Sequence, residues 1–294
     1  MAHEPMQGIF PILLTPFTEH GEIDEEDLRK EIEYNVSAGV HGLGVALGSE
    51  IFKFSETERE RVIRIVVDQT RSRVPVVINT GAMANYPAIL YSKQAEELGA
   101  AAVMCTPPTG ITASETRSYF KAISDAVRVP IFIQDTAAAT VPAPLIRQIA
   151  EESERVRYAK IESQPPALRV YQAVQASKGL VTIFGGAGAM TLLEELRRGS
   201  VGTMGWADTP HAFVKIWNAW RAGDAETARV VWENEIAPIG RLGAGGLRQG
   251  HQIHKEILRR RGIFKTAHVR APADPLDEIT QRELDEVCER LGIR

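Results

Sequence analysis

One feature of this chain constrains its fold more than any other. Eight short runs rich in aliphatic and β-branched residues alternate with longer runs of helical periodicity. The runs at 9–14, 42–47, 74–80, 101–106, 129–134, 156–162, 181–184 and 201–206 read as strands. Helices are predicted at 25–37, 55–69, 86–98, 115–127, 143–152, 166–177 and 191–198. Asp24 with Asp27 three residues on, and Ser55 ahead of Glu58, supply side-chain oxygens for the orphan amides that open a helix. Strands connected through helices run parallel, so eight βα units predict an α/β fold, a (β/α)8 TIM barrel, with a first domain at 1–222. A doubly wound sheet would show a glycine fingerprint after its first strand, where this chain has Thr15-Pro16-Phe17. Residues 223–294 read as a C-terminal helical appendage, with helices at 224–236, 247–261 and 281–291.

Composition excludes several function classes. A formal net charge of −4 and a pI near 6.0 leave no basic footprint for nucleic acid or for an anionic membrane. Met1-Ala2-His3-Glu4-Pro5 is not a basic stretch ahead of an apolar run, so no signal peptide is expected. No apolar run approaches the roughly 18 residues of a membrane span. Cys105 and Cys288 lack CxxC spacing and fit a reducing cytoplasm. His251 and His254 lie three apart on a helix, but a metal needs a third ligand, so they read as a solvated or core-edge pair. Asp208-Thr209-Pro210 reads as a helix N-cap with proline at the first helical position.

The sixth strand carries the chemistry. Of nine lysines, only Lys160 falls inside a predicted strand, the others falling on helices or loops. Side chains alternate along a strand, so Tyr158, Lys160 and Glu162 share a face. An ammonium aimed into a protein is costly unless it is paired or gives up its proton. Two readings stay open: a structural ion pair with Glu162, or an amine that attacks a carbonyl to form a Schiff base.

Barrel enzymes keep their chemistry at the C-terminal ends of the strands. In this chain those positions include Thr15, Gly48, Ser49, Thr109, Gln134, Asp135, Lys160, Glu162, Gly185 and Gly186. Ser49 could offer its hydroxyl and nearby amides to a carboxylate, or simply turn the chain. Gly185 and Gly186 could let a substrate or a phosphate approach the backbone, or be tight-turn glycines. Asp135 could be an acid or base, or a loop cap.

The residues resemble the dihydrodipicolinate synthase and N-acetylneuraminate lyase family of Schiff-base lyases. The likeness rests on Leu14-Thr15-Pro16-Phe17, then Gly21 with Ile23-Asp24, Gly42-Leu43 ahead of Glu50, and Phe54-Ser55 with Glu58. It continues through 103–107, through Val129-Pro130-Ile131-Phe132-Ile133, and through Ala159-Lys160-Ile161-Glu162. The resemblance implies that Lys160 forms the Schiff base, that no metal or organic cofactor is needed, and that the chain assembles as a homo-oligomer, a tetramer in this family. It also implies departures. Leu47 stands in place of a relay hydroxyl, Gln134 in place of a relay tyrosine and Asp135 in place of the asparagine after it. A second tyrosine falls near Thr109, and a carboxylate-binding arginine near Ala139. A condensing synthase would lose its relay and clamp here. The branch most similar in pattern dehydrates 2-keto-3-deoxy sugar acids, and in it Glu162 would serve as acid or base while Gln134 oriented a substrate hydroxyl. An aldolase of the same family, or a non-catalytic ligand-binding protein on the same scaffold, are the alternatives.

Overall fold

The computed structural model describes residues 5–243 and 246–294. Strands β1 (Gly8–Ile9), β2 (Leu43–Val45), β3 (Val76–Asn79), β4 (Ala102–Cys105), β5 (Ile131–Asp135), β6 (Val156–Ile161), β7 (Thr182–Gly185) and β8 (Gly202–Thr203) form one parallel sheet. Its order is β1-β8-β7-β6-β5-β4-β3-β2. The amides of His41 and Gly42 also donate to Ile9 O, at 2.8 and 3.2 Å, which ties β1 to the residues leading into β2. Eight parallel strands with helices between them are consistent with the expected (β/α)8 barrel.

The helices are α1 (Glu25–Ser37), α2 (Glu56–Thr70), α3 (Asn85–Glu97), α4 (Ala113–Ser124), α5 (Ala143–Glu152), α6 (Pro166–Ser177), α7 (Leu192–Arg197) and α8 (Pro210–Arg221). They are followed by α9 (Ala225–Val231), α10 (Ala237–Leu242), α11 (Leu247–Arg260) and α12 (Glu278–Arg290). The caps explain several starts. Asp24 accepts from Asp27 N, and Ser55 and Glu58 close a reciprocal box. A second box, Thr112 with Glu115, begins α4 two residues earlier than its apolar periodicity indicates. The helix expected over 224–236 is divided into α9 and a π-helical turn at Trp232–Ile236, and α10 continues past its expected end.

The first strand is shorter than expected, two residues rather than the run 9–14. Pro11 has no N–H to give a ladder. Beyond it Ile12 keeps one isolated parallel bridge to Trp206, then Leu13 O accepts from the Ser49 hydroxyl and Leu14 N donates to Glu31 at 2.8 Å, so side chains take over from the ladder.

By proximity the chain divides into two units. The first takes in the described residues of Met1–Phe10 with His41–Gly44 and Pro75–Gly205, and so nearly all of the sheet. Its interior packs Phe10 edge-on to Phe184 and stacks Phe132 on Tyr158, with centroids 5.2 and 4.4 Å apart. The second unit holds Pro11–Val40, Val45–Val74 and the described residues of Trp206–Arg294. There α10, α11 and α12 share a core of Ile239, Ile253, Ile257, Leu284, Cys288 and Ile293. Among the described residues no helix is long and apolar enough to cross a membrane.

Candidate active site

The register of β5 against β6 builds the site. A shift between Ile131 and Phe132 leaves Arg157 exposed as the extra residue, after which Phe132 pairs with Tyr158 and Gln134 with Lys160. On β6's other side Lys160 pairs with Phe184. The lysine therefore lies between Gln134 and Phe184 and is 4% exposed. It forms an ion pair with Glu162: Nζ lies 2.9 Å from Oε1, and Glu162 is 19% exposed. The structural ion pair read from sequence is thus present. It does not exclude chemistry, because each partner can take the other's proton at that distance.

Glu162 is held on both oxygens. Ala187 N–H donates to Oε1 at 3.3 Å, and the Gln134 amide donates to Oε2 at 2.7 Å. The Gln134 carbonyl in turn accepts from Asn79 Nδ2 at 2.7 Å and from the Thr106 hydroxyl at 3.0 Å. Asn79 Oδ1 accepts from Gly81 N–H at 3.2 Å. Neither Asn79 nor Thr106 was singled out from the sequence. The available signal was a polar residue closing each of two apolar strands, a pattern that also describes any strand end.

Gly186 makes room for this pair. A Cβ there would sit 2.5 Å from Glu162 Cγ and 2.8 Å from Lys160 Cε. Gly185 faces elsewhere, onto the Glu195 carboxyl, whose Cδ would lie 2.8 Å from an added Cβ. Glu195 is buried, accepts from the Thr191 hydroxyl at 2.7 Å, and is lifted by burial to about 7.

Asp135 belongs to a separate cluster. Its carboxylate accepts from the Ser163 hydroxyl, from Val141 N–H at 2.7 Å and from Arg169 at 3.4 Å. Burial raises its pKa against those donors. Arg169, which the sequence did not single out, also donates to Val141 O at 3.1 Å, so α6 supplies a guanidinium close to the Thr136–Val141 turn. Thr109 is exposed in the turn after β4.

In the second unit, Ser49 donates to Leu13 O at 2.5 Å and accepts from Ala46 N at 3.0 Å, while Thr15 donates to Ser49 O at 2.7 Å. Gly48 packs on Ile12 and Trp206. His251 and His254 are buried, not solvated, and flank Trp206, with His254 stacked on it at 4.4 Å. Burial pushes His251 down to about 4. As expected, the Asp208-Thr209-Pro210 run opens α8, with Thr209 at the cap position and Pro210 at the first helical residue, while the Asp208 carboxylate lies 3.0 Å from His254 Nδ1. Among the described residues no group of three or more His, Cys, Asp or Glu could hold a metal ion.

A buried lysine paired to a carboxylate inside a parallel, helix-connected sheet marks the end of β6 as the candidate active site. The chain belongs to the dihydrodipicolinate synthetase family, which it matches over residues 5–291. It is 28% identical to an L-2-keto-3-deoxyarabonate dehydratase of Azospirillum brasilense, over 97% of this chain and 94% of that protein. It is 27% identical to the putative 2-dehydro-3-deoxy-D-gluconate aldolase YagE of Escherichia coli K12, over 97% of each. The solved dihydrodipicolinate synthase of Thermotoga maritima superposes with a TM-score of 0.91 at 22% identity, over 99% of this chain and all of that one, a likeness of fold.

Proposed function

We propose that this protein is a Schiff-base lyase that dehydrates a 2-keto-3-deoxy sugar acid. The observation that carries the reading is the 2.9 Å pair of Lys160 Nζ and Glu162 Oε1, with Glu162 partly open and braced on both oxygens. The likeness to a 2-keto-3-deoxyarabonate dehydratase supports the same choice. Glu162 takes a proton from the Lys160 ammonium, and the neutral amine adds to the C2 carbonyl carbon. The carbonyl oxygen leaves as water, carrying the proton returned by Glu162 and one from the nitrogen, and an iminium remains. The iminium acidifies C3; Glu162 removes a C3 proton, and the resulting enamine expels the C4 hydroxyl, which Glu162 protonates so that it leaves as water. The iminium is the electron sink, so the scheme calls on no metal or organic cofactor.

The remaining assignments belong to the same proposal. Gly186 leaves room for the substrate beside Lys160 and Glu162, and the exposed Thr109 borders its far end. We read the described residues of 1–222 as the barrel and those of 223–294 as a helical appendage, in a cytoplasmic homotetramer. An aldolase would use the same iminium to break the C3–C4 bond, and the likeness to YagE favours keeping it as second reading.

The test is borohydride reduction with pyruvate and, separately, with a 2-keto-3-deoxypentonate, followed by peptide mass mapping and product analysis. An adduct on Lys160 that is lost in Lys160→Ala, with a product that keeps the whole carbon skeleton, is expected. Pyruvate among the products would establish the aldolase instead. No adduct on folded protein would leave Lys160 structural and would sink the lyase reading.

A further inference from the structure

We infer that Asn79 is a positioning residue that decides which oxygen of Glu162 carries the transferable proton, acting through Gln134. The inference rests on the proposed role of Glu162 as acid and base. Polarity passes along the chain of hydrogen bonds in one direction only. Gly81 N–H can only donate, and its acceptor, Asn79 Oδ1, fixes the asparagine's orientation. The Asn79 amide nitrogen can then only donate, and it does so to Gln134 Oε1 at 2.7 Å. The Thr106 hydroxyl donates to the same oxygen at 3.0 Å. Gln134 is thereby left with its NH2 toward Glu162 Oε2, again a pure donor, at 2.7 Å.

The consequence falls on Glu162. Each oxygen accepts one N–H, but the bond from the Gln134 amide to Oε2 is short, 2.7 Å, and the one from Ala187 N–H to Oε1 long, 3.3 Å, so protonating Oε2 forfeits the stronger bond. A proton arriving at the carboxylate is therefore held on Oε1, the oxygen that faces Lys160. Reversing the Gln134 amide would set two NH2 groups against each other and two oxygens against each other. Asn79 and Gln134 are 3% and 1% exposed, so water cannot relieve that mismatch. The two oxygens of an otherwise symmetric carboxylate are made unequal, and the reactive one is aimed at the amine that forms the imine.

Neutron diffraction of the perdeuterated Lys160→Met chain at acid pD, in which no ammonium competes for Oε1, reads this directly and needs no substrate. A deuteron on Oε1, with the Gln134 ND2 group toward Oε2, is expected; a deuteron on Oε2, or a reversed Gln134, overturns the inference. Two substitutions test the direction of control. Asn79→Leu removes the donor at similar size, and Asn79→Asp presents an acceptor that reverses Gln134 and favours protonated Glu162. On the sugar acid, kcat/KM at neutral pH is expected to fall about 10-fold for Asn79→Leu and about 100-fold for Asn79→Asp, chiefly in kcat. The acidic limb of the pH profile should move upward, most in Asn79→Asp. Folded variants with the wild-type profile overturn the inference. A failure of the Schiff-base reading is seen separately, as the absence of a Lys160 adduct in wild type, and leaves the neutron result standing.

Discussion

Two adjacent glycines separate catalysis from stability and give the sharpest mutational test. In Gly186→Ala the new methyl would lie 2.5 Å from Glu162 Cγ and 2.8 Å from Lys160 Cε, where carbon pairs settle at about 3.5–4.0 Å. Roughly 1 Å of displacement must be found, and the groups that meet the methyl are the two side chains proposed to react. Misplacement on that scale costs about 100-fold in rate. In Gly185→Ala the methyl meets the Glu195 carboxyl instead, with Cδ at 2.8 Å, behind the strand and away from Lys160. Overpacking of that kind costs about 1–3 kcal/mol, or roughly 2–12 °C in Tm at 2–4 °C per kcal/mol. Steady-state kinetics, borohydride trapping and calorimetry on both variants give the answer. Gly186→Ala should lose turnover and trapping efficiency by about two orders of magnitude, and Gly185→Ala should lose stability with kcat within about threefold. A well-folded Gly186→Ala with wild-type turnover would refute the placement of chemistry at Lys160 and Glu162.

Two further outcomes follow from buried charge. Lys255 is fully buried against Glu50, donates to His268 O at 2.9 Å and lies over the Phe17 ring at 4.3 Å, and Lys53 pairs with the same glutamate at 2.7 Å. Glu50→Gln strands the buried ammonium and should cost about 3–5 kcal/mol in urea unfolding, with Glu50→Gln/Lys255→Met recovering most of it; a loss below about 1 kcal/mol would contradict the pairing. Glu195 binds its proton more tightly when folded, at about 7 against 4.5 ordinarily, so its stabilising contribution is complete below about pH 4.5 and is lost as pH rises through 7. The loss is on the order of 3 kcal/mol. Comparing urea midpoints at pH 5 and pH 8, Glu195→Gln should be flatter than wild type by about that amount, and identical slopes would show that the carboxyl is ionised when folded.

What could be read from sequence was whatever local rules write down. Lys160 was legible because a charge interrupts an apolar, alternating run, and alternation alone puts Glu162 beside it. The starts of α1 and α2 were legible because Asp24 and Ser55 sit where orphan amides need an oxygen. Features that depend on distant partners were not. Lys255 occupies a helix and so looks like a solvated cation, yet its carboxylate partner is 205 residues away. His251 and His254 look equally ordinary until Trp206 arrives between them. The same limit explains the Gln134 substitution. In sequence it reads as the loss of a tyrosine hydroxyl, and a lost hydroxyl reads as a lost relay. Only the pairing with Asn79, 55 residues upstream, gives the glutamine amide a direction. On the proposed reading, Gln134 then need not carry a proton, because its donor on Glu162 Oε2 favours a proton on the other oxygen of that carboxylate. A proton-shuttling phenol would thus be replaced by a glutamate made directional by its neighbours, and Glu162 and Asn79 have to be read together.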